Sequence, residues 1–567
     1  MTPRERWAAL AVDVLPLALA AWLTARILPV WLERMTYPYD LEWMEGGMLA
    51  HAWRLARGLP LYGEPSPDWV PYIYPPGYSA ILAALGGPDG LSYGLGRFVS
   101  IAGTLAAAAA IVRVAQLAGR GGVVPGLVAA ACYLGTYRAS GGFFDLVRPD
   151  GLAMGLWSWS VAMAVDKRRG SDIASGLLLC AAYLVKHSMA ATGIPIAFAL
   201  LLRDGWRGMV RFVVASALPA ALITLQLQLR TDGRFLRYIV EIPRSHPMVW
   251  GRIVPGTPGE LGVWLLLAIL ASAGLLLLAF PYRTAGVRWP IVVFPAAVVG
   301  ALGGARVLSG PLTSEGVPPA SVAVLFVACA CFVASAVVAS MHAGFVLVGG
   351  VRAWRWWLAA GVGAMALAVG GLMRGHYGGF MNVLMPVHWS LCAGLAVAAV
   401  TLRAWWPGLP VHAATALLLT AQVGLIGRRL DMEAIVPDQE DRDAIAGLAE
   451  ALRKCPEGAI LSPHAAWAPV LVGRPPSTHL IAWWDLNHRR SPFHGAIGTM
   501  GEAARAHHWS CVLLGGKQPV KLGANGRIDL EASYEALPGV VFPPAMRTKT
   551  GWRVQPRQIL VPRRERR

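Results

Sequence analysis

The chain has 567 residues, 56% of them hydrophobic and only 14% charged, with a formal net charge of +18. A soluble protein carries about 25% charged residues, so this composition excludes a soluble enzyme and describes a polytopic membrane protein. The excess positive charge sits mostly between apolar segments and in the C-terminal tail, as membrane topology would place it. No nucleic-acid partner is expected, and membrane lipids with anionic head groups are the natural partners of those arginines.

The N-terminus has a basic start (Arg4, Arg6) and an apolar run containing Ala18-Leu19-Ala20, which imitates a signal peptide. The run continues to Trp31 and is interrupted by Asp13, which predicts an uncleaved first helix. Further membrane helices are predicted at roughly 97–118, 122–137, 149–165, 172–186, 189–202, 209–229, 259–281, 289–304, 318–340, 357–373, 386–403 and 409–427. With the first, at 7–31, that makes about thirteen, several shorter than the ~20 residues a span needs. The stretch 172–202 also reads as one long helix. The expected fold is therefore mainly α, a transmembrane bundle over residues 1–429 with a long first external loop at 32–96.

Within that loop, Tyr37 to Tyr78 places three carboxylates, Asp40, Glu42 and Glu45, inside six positions. A helix-like piece (Gly46 to Arg57), a Gly-Leu-Pro break and a Tyr/Pro-rich tail ending in Tyr74-Pro75-Pro76 follow. Acids beside a membrane segment cost free energy to hold and tend to mark function, although a solvated loop would have a similar composition. A helix starting near Leu41 puts Glu42 and Glu45 on one face, where each raises the other's pKa. Asp40 then serves as the N-cap. The apolar piece from Ser79 to Leu85 is expected to lie along or dip into the interface.

Later loops add polar residues. Phe143 to Met154 contains Asp145, Arg148 and Asp150; Pro149 can open a helix, and Asp150 in its first turn suits the helix dipole without any function. Gly151 and Gly155, four apart, predict close helix packing. Lys186-His187 ends a helix, where lysines often only snorkel. Arg374 to Trp389 carries His376, Tyr377, Asn382 and His388, and a histidine at an interface is commonly structural.

Arginines and lysines at 113, 120, 167–169, 203, 207, 283, 288, 352 and 355 fall largely in alternate loops, which puts those loops and the N-terminus in the cytoplasm. The first acidic loop, the Arg148 loop and the 374–385 loop then share the outer side with 230–258, whose own arginines run against the rule.

After Arg428 the chain becomes more polar. Residues 430–567 are expected to form a small extracytoplasmic α/β domain, with an amphipathic helix over Ala444 to Leu452 and short strands at Ala459 to Ser462 and Ser510 to Leu514. The acids Asp441 and Asp443 open that helix, as the dipole alone explains. Cys455 and Cys511 could pair if the region is extracytoplasmic; the other five cysteines lie in apolar segments, and no zinc or redox spacing is present. Ser462, His464 and His479 lack the glycine elbow of a hydrolase. Neither a Walker loop nor a dinucleotide glycine signature occurs, which disfavours a nucleotide-sugar donor and an ATP-driven pump.

The first loop as a whole resembles that of the GT-C glycosyltransferases, among them the protein O-mannosyltransferases and the aminoarabinose transferases of lipid A. The shared features are acids just after the first helix, the Gly58-to-Tyr62 Gly-x-x-x-Tyr element and Tyr74-Pro75-Pro76. No adjacent Asp-Glu pair exists here; motif register matches Glu45, while closeness to the first helix favours Asp40, so the Glu42/Glu45 pair is expected to face a cavity with Glu45 the preferred base and Asp40 the alternative. The resemblance implies an inverting transferase that moves a sugar from a polyprenyl-phosphate donor to a lipid, polysaccharide or protein acceptor at the outer face, with no obvious need for a metal. It implies a carboxylate base among Asp40, Glu42 and Glu45, a supporting acid at Asp150, and phosphate contacts from Lys186 with Arg148 and neighbouring groups. His187, Tyr74, His376, Tyr377 and Asn382 complete the expected substrate-binding set, and the ring of Trp43 would line the sugar site. The competing readings are a transporter or flippase for an anionic lipid or glycolipid, which fits intramembrane charges, and a non-catalytic assembly factor.

Overall fold

Apolar runs without internal breaks become long helices. In the computed structural model, which describes residues 3–278, 353–515 and 530–563, the first eight are α1 (Pro3–Met35), α2 (Glu45–Ala56), α3 (Gly77–Gly86), α4 (Tyr93–Ala118), α5 (Val123–Gly135), α6 (Pro149–Val165), α7 (Ser171–Val185) and α8 (Gly193–Arg230). Then come α9 (Thr257–Leu278), α10 (Ala353–Gly375), α11 (Met385–Trp405) and α12 (Leu409–Gly427). Among the described residues, seven helices are long and apolar enough to cross a membrane, and the chain is a multi-pass integral membrane protein.

The expected spans at 289–304 and 318–340 lie outside the described residues, as do Arg283, Arg288 and Arg352. Three expected spans, α5, α6 and α7, are only 13, 17 and 15 residues long. The stretch 172–202 is not one helix: α7 stops at Val185, Lys186 is extended, and a 3-10 turn over His187–Thr192 leads into α8. The two spans expected at 189–202 and 209–229 run together in α8 but are divided at Gly205, whose φ of 71° no helix contains. A left-handed φ of that kind favours glycine.

The core of the bundle is the pairing of α4 with α6. A Cβ on Gly103 would stand 2.5 Å from the Gly151 carbonyl oxygen, and one on Gly155 would stand 2.6 Å from that of Gly103. The backbones touch because neither side carries a side chain, the arrangement small residues permit in membranes. The bundle has two chemically distinct ends. At one, Asp13 meets Arg403 and His412, and Arg113 meets Asp166. At the other, Arg34 at the end of α1 binds Asp145 at 2.6 Å and the Ile435 carbonyl at 2.7 Å.

Residues beyond Arg428 cover this second end. α13 (Gln439–Arg453) starts with a capping box between Asp438 and Asp441, so the acids at its start have the structural role the dipole suggested. A four-stranded sheet follows in the order β1-β2-β4-β3, with β1 Ile460–Leu461, β2 Cys511–Leu514, β3 Tyr534–Ala536 and β4 Gln558–Pro562. β1 and β2 are parallel and the other pairs antiparallel. Cys455, just past α13, is disulfide-bonded to Cys511 on β2, with Cα atoms 5.8 Å apart. A short helix, α14 (Leu480–Leu486), turns Trp484 and Asp485 toward the bundle end.

Candidate active site

The first loop leaves α1 at Met35 and folds back over the bundle end before α2. Glu45, expected to face a cavity together with Glu42, does not share its environment. Arg97 of α4 binds both of its oxygens, Nε to Oε1 at 2.9 Å and Nη2 to Oε2 at 2.7 Å. The amides of Leu41 and Val147 donate to it at 2.7 and 2.8 Å. Burial alone would raise its pKa, but the Arg97 charge and these hydrogen bonds outweigh burial and hold it below the usual carboxylate range. A carboxylate so fully bonded is a weak proton acceptor, and its work is to tie α2, α4 and the Val147 loop together.

The helix starts at Glu45 rather than near Leu41, with Met44 at the cap position, so Asp40 is not its N-cap residue. Asp40 nonetheless accepts from the Gly46 amide at 2.8 Å and the Tyr93 hydroxyl at 3.0 Å. Its Oδ2 is buried without a partner. It lines a small cavity shared with Ser462 and His464. Burial, then the Glu45 charge, push its pKa well up.

Glu42 is the acid that reaches the other polar residues. Its Oε2 lies 3.5 Å from Arg148 Nη1 and accepts from the Met44 amide at 3.2 Å. Burial raises its pKa to about 7, against the opposing pull of Arg148 and with help from the negative charge on Glu45. Arg148 donates to the Tyr74 hydroxyl at 2.8 Å and stands 4.0 Å from Asp150. Lys186 Nζ donates to Asp150 Oδ1 at 2.5 Å, and Asn382 donates to the same oxygen at 2.8 Å. Lys186 is 6% exposed, so it is buried and paired rather than snorkelling.

Residues 42, 74, 148, 150, 186 and 382 thus form one continuous network, brought from five separate segments to one end of the bundle. Two atoms in it have no hydrogen-bond partner: Arg148 Nε, a donor, and Asp150 Oδ2, an acceptor, which face each other as an ion pair at 4.0 Å. Buried polar groups are normally satisfied, so a ligand offering both an anionic oxygen and a hydroxyl would complete the set.

The remaining expected residues lie apart from this network. His187 follows Lys186 in the 3-10 turn, its Nδ1 buried without a partner. His376 packs against His246, with ring centroids 4.7 Å apart, and its Nε2 faces the Pro243 carbonyl at 3.1 Å. Tyr377 is exposed and stacks edge-on to His488. This histidine cluster seals loops 242–256 and 374–380 against the C-terminal region.

Asp485 was missed by the sequence reading, although an acid following two tryptophans in a polar region was a visible signal. It is buried, and its pKa is pushed up to about 8 by burial against the pull of nearby Arg148. His246 lies 3.7 Å from its Oδ1. Among the described residues no group of three or more His, Cys, Asp or Glu side chains is arranged to hold a metal ion.

Fold and site together define a mainly helical membrane protein with a buried network of acids, cations and a tyrosine at one bundle end, roofed by a small mixed sheet. The chain is similar to the crystal structure of ArnT from Cupriavidus metallidurans in the apo state, at 14% identity and a TM-score of 0.42, covering 95% of this chain and 97% of that one. The same protein bound to undecaprenyl phosphate gives 15% identity and a TM-score of 0.42. The Archaeoglobus fulgidus oligosaccharyltransferase tethered with an acceptor peptide gives 13% identity and a TM-score of 0.42, covering 95% of this chain and 74% of that one. Both are members of the GT-C superfamily. No family model and no curated protein matches the chain.

Proposed function

We propose that the protein is an inverting membrane glycosyltransferase that moves a sugar from a polyprenyl-phosphate donor to a hydroxyl of a lipid, polysaccharide or protein acceptor at the outer face. The observation that carries this reading is the buried Glu42–Arg148–Asp150–Lys186 network, in which Arg148 Nε and Asp150 Oδ2 have no hydrogen-bond partner. The first-loop resemblance to GT-C enzymes supports it independently.

In this reading Glu42 is the base. A carboxylate with a pKa near 7 accepts a proton effectively near neutral pH. Glu42 takes the acceptor hydroxyl proton, the acceptor oxygen forms its bond to the anomeric carbon, and the bond from that carbon to the lipid-phosphate oxygen breaks. The phosphate leaves with the electron pair, and Arg148 Nε and Lys186 stabilise the charge it gains. Asp150 holds Lys186 and Arg148 in place. The disulfide in the C-terminal region supports an outer location for this end, because such bonds persist in oxidising compartments.

The test is transfer by purified protein from a panel of labelled polyprenyl-phosphate sugars, with Asp40→Asn, Glu42→Gln and Glu45→Gln variants. Loss of transfer on the order of 10²–10⁴ in folded Glu42→Gln is expected for removal of a base. Near-wild-type transfer in all three variants would remove the loop from the active site. Lipid translocation without transfer would favour the flippase reading.

A further inference from the structure

The expectation that Trp43 lines a sugar site meets an obstacle: its ring is only 6% exposed. It is covered by three rings from the C-terminal region, with centroids 4.8 Å away at His479, 5.8 Å at Trp484 and 4.7 Å at Trp552. Trp552 in turn lies 4.8 Å from Trp484, tilted by 32°, and is itself 50% exposed. Its open face is flat and aromatic, backed by two further indoles.

The segment that carries Trp552 is fixed to the first loop. The amides of Lys549 and Thr550 both donate to the Leu41 carbonyl at 2.9 Å. Glu42 and Thr550 form a β-bridge, and Gly551 lies against the Glu42 side chain. Trp552 is therefore held two residues from the backbone partner of the proposed base. Thr550 is itself buried against Gly142, its hydroxyl without a hydrogen-bond partner, which fixes this segment against the loop before α6. A sugar ring would suit the open indole face held beside Glu42. The negative face of an indole attracts the polarised C–H face of a sugar, and small-molecule sites pair such rings with a few placed polar groups.

We propose that Trp552, backed by Trp43 and Trp484, is a stacking platform for a pyranose or furanose ring beside Glu42, contributed by the C-terminal region. The proposal rests on the glycosyltransferase reading. The ring can belong to the donor sugar or to a glycan acceptor, and the experiment separates the two.

Full-length protein, with Trp552→Ala and Trp552→Phe variants, is tested for binding of undecaprenyl phosphate with and without an attached hexose or pentose, and for KM toward an oligosaccharide acceptor. A donor-side platform predicts that wild type prefers the sugar-bearing lipid, that Trp552→Ala loses roughly tenfold of that preference while binding bare lipid phosphate unchanged, and that Trp552→Phe retains most of it. An acceptor-side platform predicts unchanged lipid discrimination and a similar rise in acceptor KM for Trp552→Ala alone. If Trp552→Ala matches wild type in both arms, the platform is refuted while the transferase reading stands. If wild type makes no distinction between the lipids and transfers no sugar, the transferase reading fails and the platform fails with it.

Discussion

Arg97 and Glu45 meet through two hydrogen bonds with both side chains fully buried, and this contact sets Glu45 apart from Glu42, the proposed base. Arg97 also donates to the carbonyls of Arg34, Tyr37 and Tyr39, so one guanidinium organises the whole entry to the first loop. Removing one partner of a buried pair typically costs about 3–5 kcal/mol. Arg97→Ala and Glu45→Gln should therefore lower the melting temperature in detergent markedly, with transfer lost in proportion to folded protein. A Glu45→Gln variant that melts like wild type but is catalytically dead would instead return the base to Glu45.

Glu42 makes the opposite prediction. Because burial places its pKa at about 7, its carboxylate form grows as pH rises through that value, and transfer should climb between about pH 6 and 8. The sign for stability is reversed. Its folded pKa lies above the ordinary 4.5, so the unfolded chain releases the proton first, and the Glu42 contribution to stability falls as pH rises from the ordinary value to about 7. Glu42→Gln should flatten both profiles. A pH–rate curve unchanged by the substitution would show that another group titrates.

Lys186 cannot be removed cleanly, since its loss strands a buried Asp150 whose remaining close donor is Asn382 at 2.8 Å. Lys186→Ala should lose both stability and donor binding. The double variant Lys186→Met/Asp150→Asn discards the charge on both sides, which buried pairs often tolerate. It should recover the melting temperature while donor affinity stays at least about tenfold weaker. Recovery of donor affinity along with stability would make the pair purely structural.

Arginine placement predicts that the N-terminus is cytoplasmic and the sheet-containing region is outside. Reporter fusions after Arg428 should give an extracytoplasmic signal. Thiol labelling of denatured, unreduced protein should find Cys455 and Cys511 blocked, consistent with their pairing. A cytoplasmic reporter signal with both thiols free would place the site on the wrong face for the proposed donor.

The sequence by itself determined the features that depend on composition and local pattern. Apolar runs fixed the helices, since a backbone in lipid must satisfy its own hydrogen bonds. Gly151 and Gly155 marked the α4–α6 contact because only small residues let backbones touch. The cluster Asp40, Glu42 and Glu45 marked the candidate site because acids next to a membrane are costly. Tertiary structure alone decided what each acid does. Glu42 and Glu45 sit three positions apart, yet one meets Arg97 from α4 and the other faces Arg148 from the loop before α6, and no local pattern encodes which distant guanidinium arrives. Which partners Asp485, Trp484 and Trp552 meet was unreadable for the same reason: they lie more than 400 residues from Glu42, and a chain that closes over that distance leaves no periodicity to read. Their chemistry comes from burial and from the charges and rings they meet, which exist only once the C-terminal region has folded onto the end of the bundle.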